Sequence, residues 1–200
     1  MREILPGIFQ WSWPSPEKGF DFNGHAIIGP DGTVLIDPPL PSNSDFDWLD
    51  AHKPYTAILI TNRDHERESE SLRIRLKAPI FLPEQDSPLM TLQADRLFRD
   101  RDAMPGGLTA INIPDSKSPG ESALWRDSDG GVLILGDALI GVPAGRLNLL
   151  SPDKFKDPAR AREGIRVLLN VPFDHVLVGD GTSILRNGRR EVEAFLSRPS

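Results

Sequence analysis

The sequence contains no cysteine. This absence excludes disulfide bonds, thiolate nucleophiles and every zinc site that uses sulfur ligands. It is compatible with a reducing compartment, and we expect a cytoplasmic protein. A chain of 200 residues can bury a sizeable core but is too short for two large domains, so we predict a single domain over residues 1–200.

The sequence also lacks long apolar runs and an excess of positive charge. No stretch approaches the roughly 18 consecutive apolar residues that a membrane span needs, and the first residues, MREILPGIFQWSW, do not have the pattern of a secretory signal. The formal net charge is -6, whereas nucleic-acid-binding domains are usually basic. We therefore expect a small-molecule substrate or ligand as the partner, with neither nucleic acid nor a membrane, and leave a homodimer open.

Nineteen prolines and seventeen glycines divide the chain into many short segments. Apolar runs bounded by turn residues predict strands, and apolar residues at helical spacing predict helices. The predicted strands cover residues 8–13, 25–28, 33–36, 57–61, 80–82, 108–113, 124–126, 132–135 and 175–178. The predicted helices cover residues 44–52, 68–76, 158–170 and 189–196. This interleaving indicates an α/β protein built in layers.

Four of the apolar runs lead into an aspartate, namely Asp37, Asp64, Asp137 and Asp180. Each of them alone is well explained as the cap of a turn or of a following helix. Together they suggest one shared site, because residues beyond the carboxyl ends of adjacent strands converge in layered α/β proteins.

Five segments resemble, in the same order, those of the metallo-β-lactamase superfamily. NGHAIIGPDGTVLID resembles its opening hairpin, and ILITNRDHERES stands where the family has threonine followed by His-x-His-x-Asp-His. SKSPGESAL stands at its proline-glycine-histidine segment, GVLILGDAL matches the strand with the metal-bridging aspartate, and VLVGDGTSIL matches the final strand. The resemblance covers nearly the whole chain. It implies a four-layer αββα sandwich of two mixed β-sheets with helices on both outer faces, with the site at one edge.

The first metal-binding motif of the family is altered in this sequence. By position, Asn62 and Asp64 replace the first two histidines, Glu66 replaces the aspartate, and Arg67 replaces the last histidine. His65 falls between two ligand positions. A lone histidine in such a loop is more often a surface hydrogen-bonding residue than a catalytic base.

The downstream ligand positions are altered as well. Glu121 and Asp180 stand where the family has histidines, and Asp137, the bridging aspartate, is unchanged. The resulting set is rich in oxygen and suits magnesium, manganese or calcium better than zinc. If any metal is bound, the candidate ligands are Asn62, Asp64, Glu66, Glu121, Asp137 and Asp180.

Arg67 changes the chemistry most, since a guanidinium stays protonated and cannot bind a metal. A standard dinuclear zinc hydrolase is therefore the least favoured interpretation. The favoured one is a non-hydrolytic site in which Arg67 pairs with Asp137 or Asp180 and neutralises the carboxylates. No cofactor is certain in that case.

The alternative is a hydrolase acting on an ester, thioester, amide or phosphoester with one divalent cation, Mg²⁺, Mn²⁺ or Zn²⁺, at Asp64, Glu121 and Asp137. The catalytic candidates are then Asp64, His65, Arg67 and Asp137, with Asp137 or Asp64 accepting a proton. Arg146, in the loop after the Asp137 strand, is a candidate anion contact for substrate, although a solvated arginine is the simpler explanation.

Overall fold

Two β-sheets form the centre of the molecule in a computed structural model that describes residues 1–198. The first sheet contains seven strands in chain order, β1 to β7. Pairing is antiparallel from β1 to β4 and parallel from β4 to β7, so the sheet is mixed. The strands are β1 Arg2–Leu5, β2 Ile8–Ser15, β3 Phe20–Gly29, β4 Gly32–Ile36, β5 Tyr55–Leu59, β6 Ile80–Pro83 and β7 Arg96–Phe98.

The second sheet contains five strands in the order β12-β11-β10-β9-β8. It is mixed too, with β11 and β12 parallel and the other neighbours antiparallel. Its strands are β8 Ala103–Met104, β9 Leu108–Asn112, β10 Ser122–Arg126, β11 Val132–Leu135 and β12 His175–Val178. The helices are α1 Asn43–Ala51, α2 Ser69–Leu76, α3 Pro158–Gly164 and α4 Gly188–Ser197.

Three buried apolar clusters fill the spaces between the layers. One lies between the two sheets and joins Ile36 and Leu59 of the first sheet to Leu177 of the second. A second packs Leu49 of α1 and Leu72 of α2 against the outer face of the first sheet. The third packs α4 and the turn after α3 against the outer face of the second sheet. The order is therefore helix, sheet, sheet, helix, which confirms the four-layer sandwich that the resemblance implies.

The observed helices and strands differ from the predicted ones mainly in short segments and at one change of helix type. The predicted helix 158–170 ends as an α-helix at Gly164 and continues as a 3₁₀ helix over Ile165–Asn170. At Gly164 an added Cβ would collide with the carbonyl oxygen of Pro114. The helix therefore packs directly against the backbone of Pro114 at the residue where the α-helix changes to a 3₁₀ helix. Strands β1, β7 and β8 were not predicted, because each has two to four residues and almost no apolar alternation. Within residues 1–198, no helix has the length and apolar character needed to traverse a bilayer.

The parallel pairs place four strand ends at one edge. β4 and β5 run parallel in the first sheet, and β11 and β12 run parallel in the second. The sheets are joined there by three backbone hydrogen bonds, in which the amides of Asn23, Ser122 and Gly181 donate to the carbonyls of Gly179 (2.7 Å), Thr61 (3.0 Å) and Asp21 (2.9 Å). The loops that follow these strands therefore meet across the gap between the sheets.

We expect Leu177→Ala to lower the free energy of unfolding by about 2–5 kcal/mol, because Leu177 is fully buried between the sheets and its removal leaves a cavity. Leu97→Ala is the matched control, since Leu97 is about half exposed, and it should change stability by less than about 0.5 kcal/mol. Urea denaturation measures both. Equal effects of the two substitutions would contradict the assigned inter-sheet core.

Candidate functional site

The loop after β5 begins the site. Asn62 lies at the start of a 3₁₀ turn over Arg63–His65, and its side-chain oxygen accepts a hydrogen bond from the Asp64 amide at 2.8 Å. This local bond ends the strand and starts the turn. Arg67 then adopts a left-handed conformation with φ of 42°, an uncommon conformation for a residue with a side chain. The turn directs both His65 and Arg67 inward.

His65 is buried between two carboxylates from different sheets. Its Nδ1 lies 2.8 Å from Asp37 Oδ2, and its Nε2 lies 3.4 Å from Asp137 Oδ1. Burial and the nearby Arg67 act to lower the pKa of His65, but the two carboxylates outweigh them and raise it to about 10. His65 is therefore an imidazolium near neutral pH. The interpretation of this residue as a surface hydrogen-bonding residue is wrong.

Gly179 makes room for this ring. A Cβ added at Gly179 would lie 2.5 Å from His65 Cε1, inside van der Waals contact. Gly179 follows β12 directly, so the end of that strand packs edge-on against the imidazole. Any side chain at this position would displace His65 from its two partners.

Arg67 joins three backbone carbonyls and one carboxylate. Its guanidinium donates to Asp180 Oδ1 at 3.0 Å, to the carbonyls of Asn23 and Asp37 at 2.6 and 3.0 Å, and to that of Gly179 at 3.3 Å. The Phe22 ring covers it with its centroid 5.2 Å from Cζ. The expected ion pair of Arg67 is therefore with Asp180, through one nitrogen, and not with Asp137.

Lys117 takes the place beside Asp137 that the sequence interpretation gave to Arg67. Its Nζ lies 2.6 Å from Asp137 Oδ2 and 3.0 Å from Asp64 Oδ2. Burial lowers the pKa of Lys117, and the carboxylates of Asp137 and Asp64 raise it by more, so the ammonium form is favoured. Sequence reasoning missed this residue, although it lies in the SKSPGES segment that was already assigned to the site.

The two aspartates beside His65 stay ionised in spite of their burial. Burial raises the pKa of Asp137, but His65 and Lys117 hold it well below its ordinary value. Burial acts in the same direction on Asp37, where His65, Arg67 and the Thr61 hydroxyl lower the pKa. For Asp180 burial prevails, and the pKa is raised despite the nearby His65 and Arg67.

Glu121 differs from these acids because no cationic side chain in the described residues 1–198 forms an ion pair with it. Its burial and the nearby Asp137 raise its pKa well above the usual value, so the neutral acid is favoured. One oxygen accepts a hydrogen bond from the Ala138 amide at 3.1 Å. Among residues 1–198, its other oxygen, Oε2, and the neighbouring Asn62 Nδ2 have no hydrogen-bond partner.

A second buried carboxylate, Asp86, holds the loops around the site together. It accepts hydrogen bonds from the amides of Arg63 and Gly120, both at 2.8 Å, and from the Ser118 hydroxyl. These donors come from the loop after β5 and from the segment that carries Lys117. Sequence analysis did not identify Asp86, since it follows a short strand without any family motif around it.

Two predicted site residues lie outside this network. In the described part of the chain, the Glu66 and Arg146 side chains make no hydrogen bond or ion pair with the cluster, and Arg146 is exposed in its loop. The roles proposed for Asp64, His65, Arg67 and Asp137 in catalysis, and for Arg146 in substrate binding, stay predictions. The structure does bring Asp37, Asp64, Asp137 and Asp180 to the same edge, as their strand-end positions suggest.

Comparison with known proteins decides the family. The sequence profile described as "Metallo-beta-lactamase superfamily" matches residues 2–197. The chain belongs to the metallo-β-lactamase superfamily. No curated protein matches the sequence.

Three solved structures share the fold at low sequence identity. The metallo-β-lactamase from Pontibacter korlensis superposes with a TM-score of 0.78 at 14% identity, covering 99% of this chain and 98% of that one. The BLEG-1 B3 metallo-β-lactamase gives 0.72 at 19% identity, with 95% and 100% covered. TTHA1623, described in a di-iron-bound form, gives 0.72 at 22% identity, with 93% and 96% covered. Metal binding thus occurs among the neighbours of this fold.

The residues present here do not fit a dinuclear metal centre. His65, Asp137 and Asp180 offer ligand atoms within 4.8 Å of one another, which is close enough for one ion. However, both ring nitrogens of His65 face carboxylates, Asp137 binds Lys117, and Asp180 binds Arg67. A protonated imidazole has no lone pair to offer a metal. The donor set is therefore already neutralised by side-chain cations.

We expect Asp86→Ala to lower the free energy of unfolding by roughly 3 kcal/mol or more, because three buried donors to a charged acceptor lose their partner. Asp95→Ala is the control, since Asp95 is an exposed side chain that accepts one backbone hydrogen bond from Ile80, and a smaller loss of about 1 kcal/mol is expected. Chemical denaturation measures both. If Asp86→Ala lowers the free energy of unfolding by no more than the control does, the three hydrogen bonds that Asp86 accepts contribute little to stability.

We expect His65 to stay protonated and His25 to stay neutral between about pH 5 and 9. Burial lowers the pKa of His25 to about 4, and the carboxylates raise that of His65 to about 10. The raised pKa of His65 stabilises the fold fully below its reference value of 6.5, and this contribution is lost as pH rises through about 10. Two-dimensional NMR of ¹⁵N-labelled imidazoles follows both rings. A His65 transition near pH 6.5 would contradict the ion-pair geometry.

Proposed function

We propose that this chain is a metal-independent member of the superfamily that binds a small molecule and does not carry out zinc-dependent hydrolysis. The observation that carries the proposal is the pairing of three cations, His65, Arg67 and Lys117, with the carboxylates at the strand ends. Those pairs connect the two sheet edges through side-chain charges.

The acid–base properties of the site also argue against hydrolysis. A general base needs a pKa near the working pH and a free lone pair. His65 is protonated, and Asp137 has a strongly lowered pKa and already binds two cations. Glu121 is unsuited to be a base for a different reason. Its raised pKa favours the protonated acid, and its side chain is fully buried. None of these three side chains is poised to activate water.

The alternative is hydrolysis with one divalent cation at Asp64, Glu121 and Asp137. It would have to displace Lys117 from two carboxylates and deprotonate Glu121. Elemental analysis of protein purified without chelator or metal-affinity resin separates the two proposals. We expect substoichiometric zinc, iron, manganese and magnesium, and no change in melting temperature with EDTA. One tightly held ion per chain, removable with loss of stability, would refute the metal-independent site.

A substitution of Lys117 tests whether this side chain takes the place of a metal ion. If Lys117 neutralises Asp64 and Asp137 in place of a metal, Lys117→Ala should leave carboxylates that attract one. We expect millimolar Mn²⁺ to raise the melting temperature of Lys117→Ala and to leave that of the wild type unchanged, since a ligand stabilises the state that binds it.

Lys53→Ala is the matched control for this experiment. Lys53 pairs with Asp50 at 3.0 Å on the surface, where both side chains are well exposed, and its removal should create no metal affinity. An equal Mn²⁺ response in the wild type and Lys117→Ala would mean that Lys117 does not stand in for a cation.

A further inference from the structure

A cleft of about 650 Å³ opens directly beside the ion-pair network. Lys117 lies in its wall together with Asn112 of β9, Lys156 just before α3 and Arg160 within α3. This volume is within the range of about 300–1,000 Å³ that small-molecule sites occupy. Lys117 is thus shared between the cleft and the network.

The acidic side chains of the cleft are already engaged. Asp157 caps α3 by accepting hydrogen bonds from the amides of Ala159 and Arg160 at 3.0 and 3.1 Å. Asp115 pairs with Arg160 at 3.2 Å. In contrast, Lys156 is exposed and forms no ion pair within residues 1–198. The unbalanced charge in this cleft is therefore positive.

Lys117 is also the part of the network that a ligand in this cleft can reach. Its side chain is 23% exposed, whereas Asp137 is 5% exposed. Its second partner, Asp64, is 41% exposed, and an ion pair to such a residue contributes about 0–1 kcal/mol. The Lys117–Asp64 contact at 3.0 Å is accordingly the weak one, and the Lys117–Asp137 contact at 2.6 Å is the strong one.

We propose that this cleft binds a small anionic molecule, with its carboxylate or phosphate group between Lys156 and Lys117, where it replaces Asp64 as a partner of Lys117. This inference rests on the proposed function, because it requires Lys117 to be the cation of the site. Asp137 keeps Lys117 in place when the anion displaces Asp64. Binding involves no covalent step.

The test is titration of the full chain with inorganic phosphate and, separately, with succinate, at constant ionic strength, followed by ¹H–¹⁵N NMR shifts of the cleft amides. Constant ionic strength matters because added salt screens exposed charges. We expect saturable binding of at least one probe. A preference for phosphate or for succinate then identifies which anionic group the cleft selects.

Three variants make the test specific. Lys156→Ala should weaken binding by about threefold, the effect expected for one exposed charge. Lys154→Ala is the matched control, because Lys154 lies two residues away, pairs with Asp153 at 3.6 Å and is not part of the cleft wall; it should have no effect. Asp64→Asn should strengthen binding, because it removes the carboxylate that competes for Lys117.

The contrary results separate failure of the anion site from failure of the proposed function. No saturable binding of either probe, equal weakening by Lys156→Ala and Lys154→Ala, or no gain with Asp64→Asn would overturn the anion site. Metal content is measured on the same samples. Stoichiometric metal would refute the proposed function itself. Metal-free protein that binds neither phosphate nor succinate would refute this inference alone.

Discussion

The contact of one imidazolium with two carboxylates is the interaction on which the site depends. His65 comes from the first sheet's edge, Asp37 from the same sheet and Asp137 from the second. Buried ion pairs are favourable where geometry and further hydrogen bonds repay the desolvation of both charges. Here Asp37 also accepts hydrogen bonds from the amide and hydroxyl of Thr61, and Asp137 also binds Lys117. His65 therefore bridges one carboxylate from each sheet, and Arg67 and Lys117 supply the further positive charges that Asp180 and Asp137 face.

Under the proposed function, side-chain cations take the place of a metal ion at the strand ends of a superfamily fold. A metal ion concentrates positive charge at one point and needs unprotonated ligands. In this chain the positive charge is distributed over three side chains, each of which needs an ionised acceptor. The same strand ends thus serve both schemes, since converging carboxylates attract any cation. If the loop after β5 supplies histidines with free lone pairs, the cation is a metal ion. If the loop supplies protonated nitrogen, the side chains are themselves the cations.

The fold was largely predictable from the sequence, and so was Asp180 as one of two candidate partners of Arg67, whereas the ion pairs of His65 and Lys117 were not. Apolar runs and turn residues indicate most strands, and the strand-end positions of Asp37, Asp137 and Asp180 indicate where the site lies. Lys117 could not be assigned, because its partner Asp137 is 20 residues away and a lysine in a proline- and serine-rich loop looks solvated. His65 was misjudged for a related reason. Its burial depends on the absence of a side chain at Gly179, which no pattern within its own loop reveals.

Asn23 has a consequence for how freely this edge can move. Its side-chain amide donates to the carbonyls of Val178, the last residue of β12, and of Gly181, just beyond that strand, at 2.9 and 2.7 Å. The side chain thereby acts as an extra strand neighbour for the second sheet while its backbone belongs to the first. Separating the sheets at this edge would break both bonds, so the two bonds oppose opening of the rim of the site. A molecule bound at this rim would forfeit little conformational entropy of the protein.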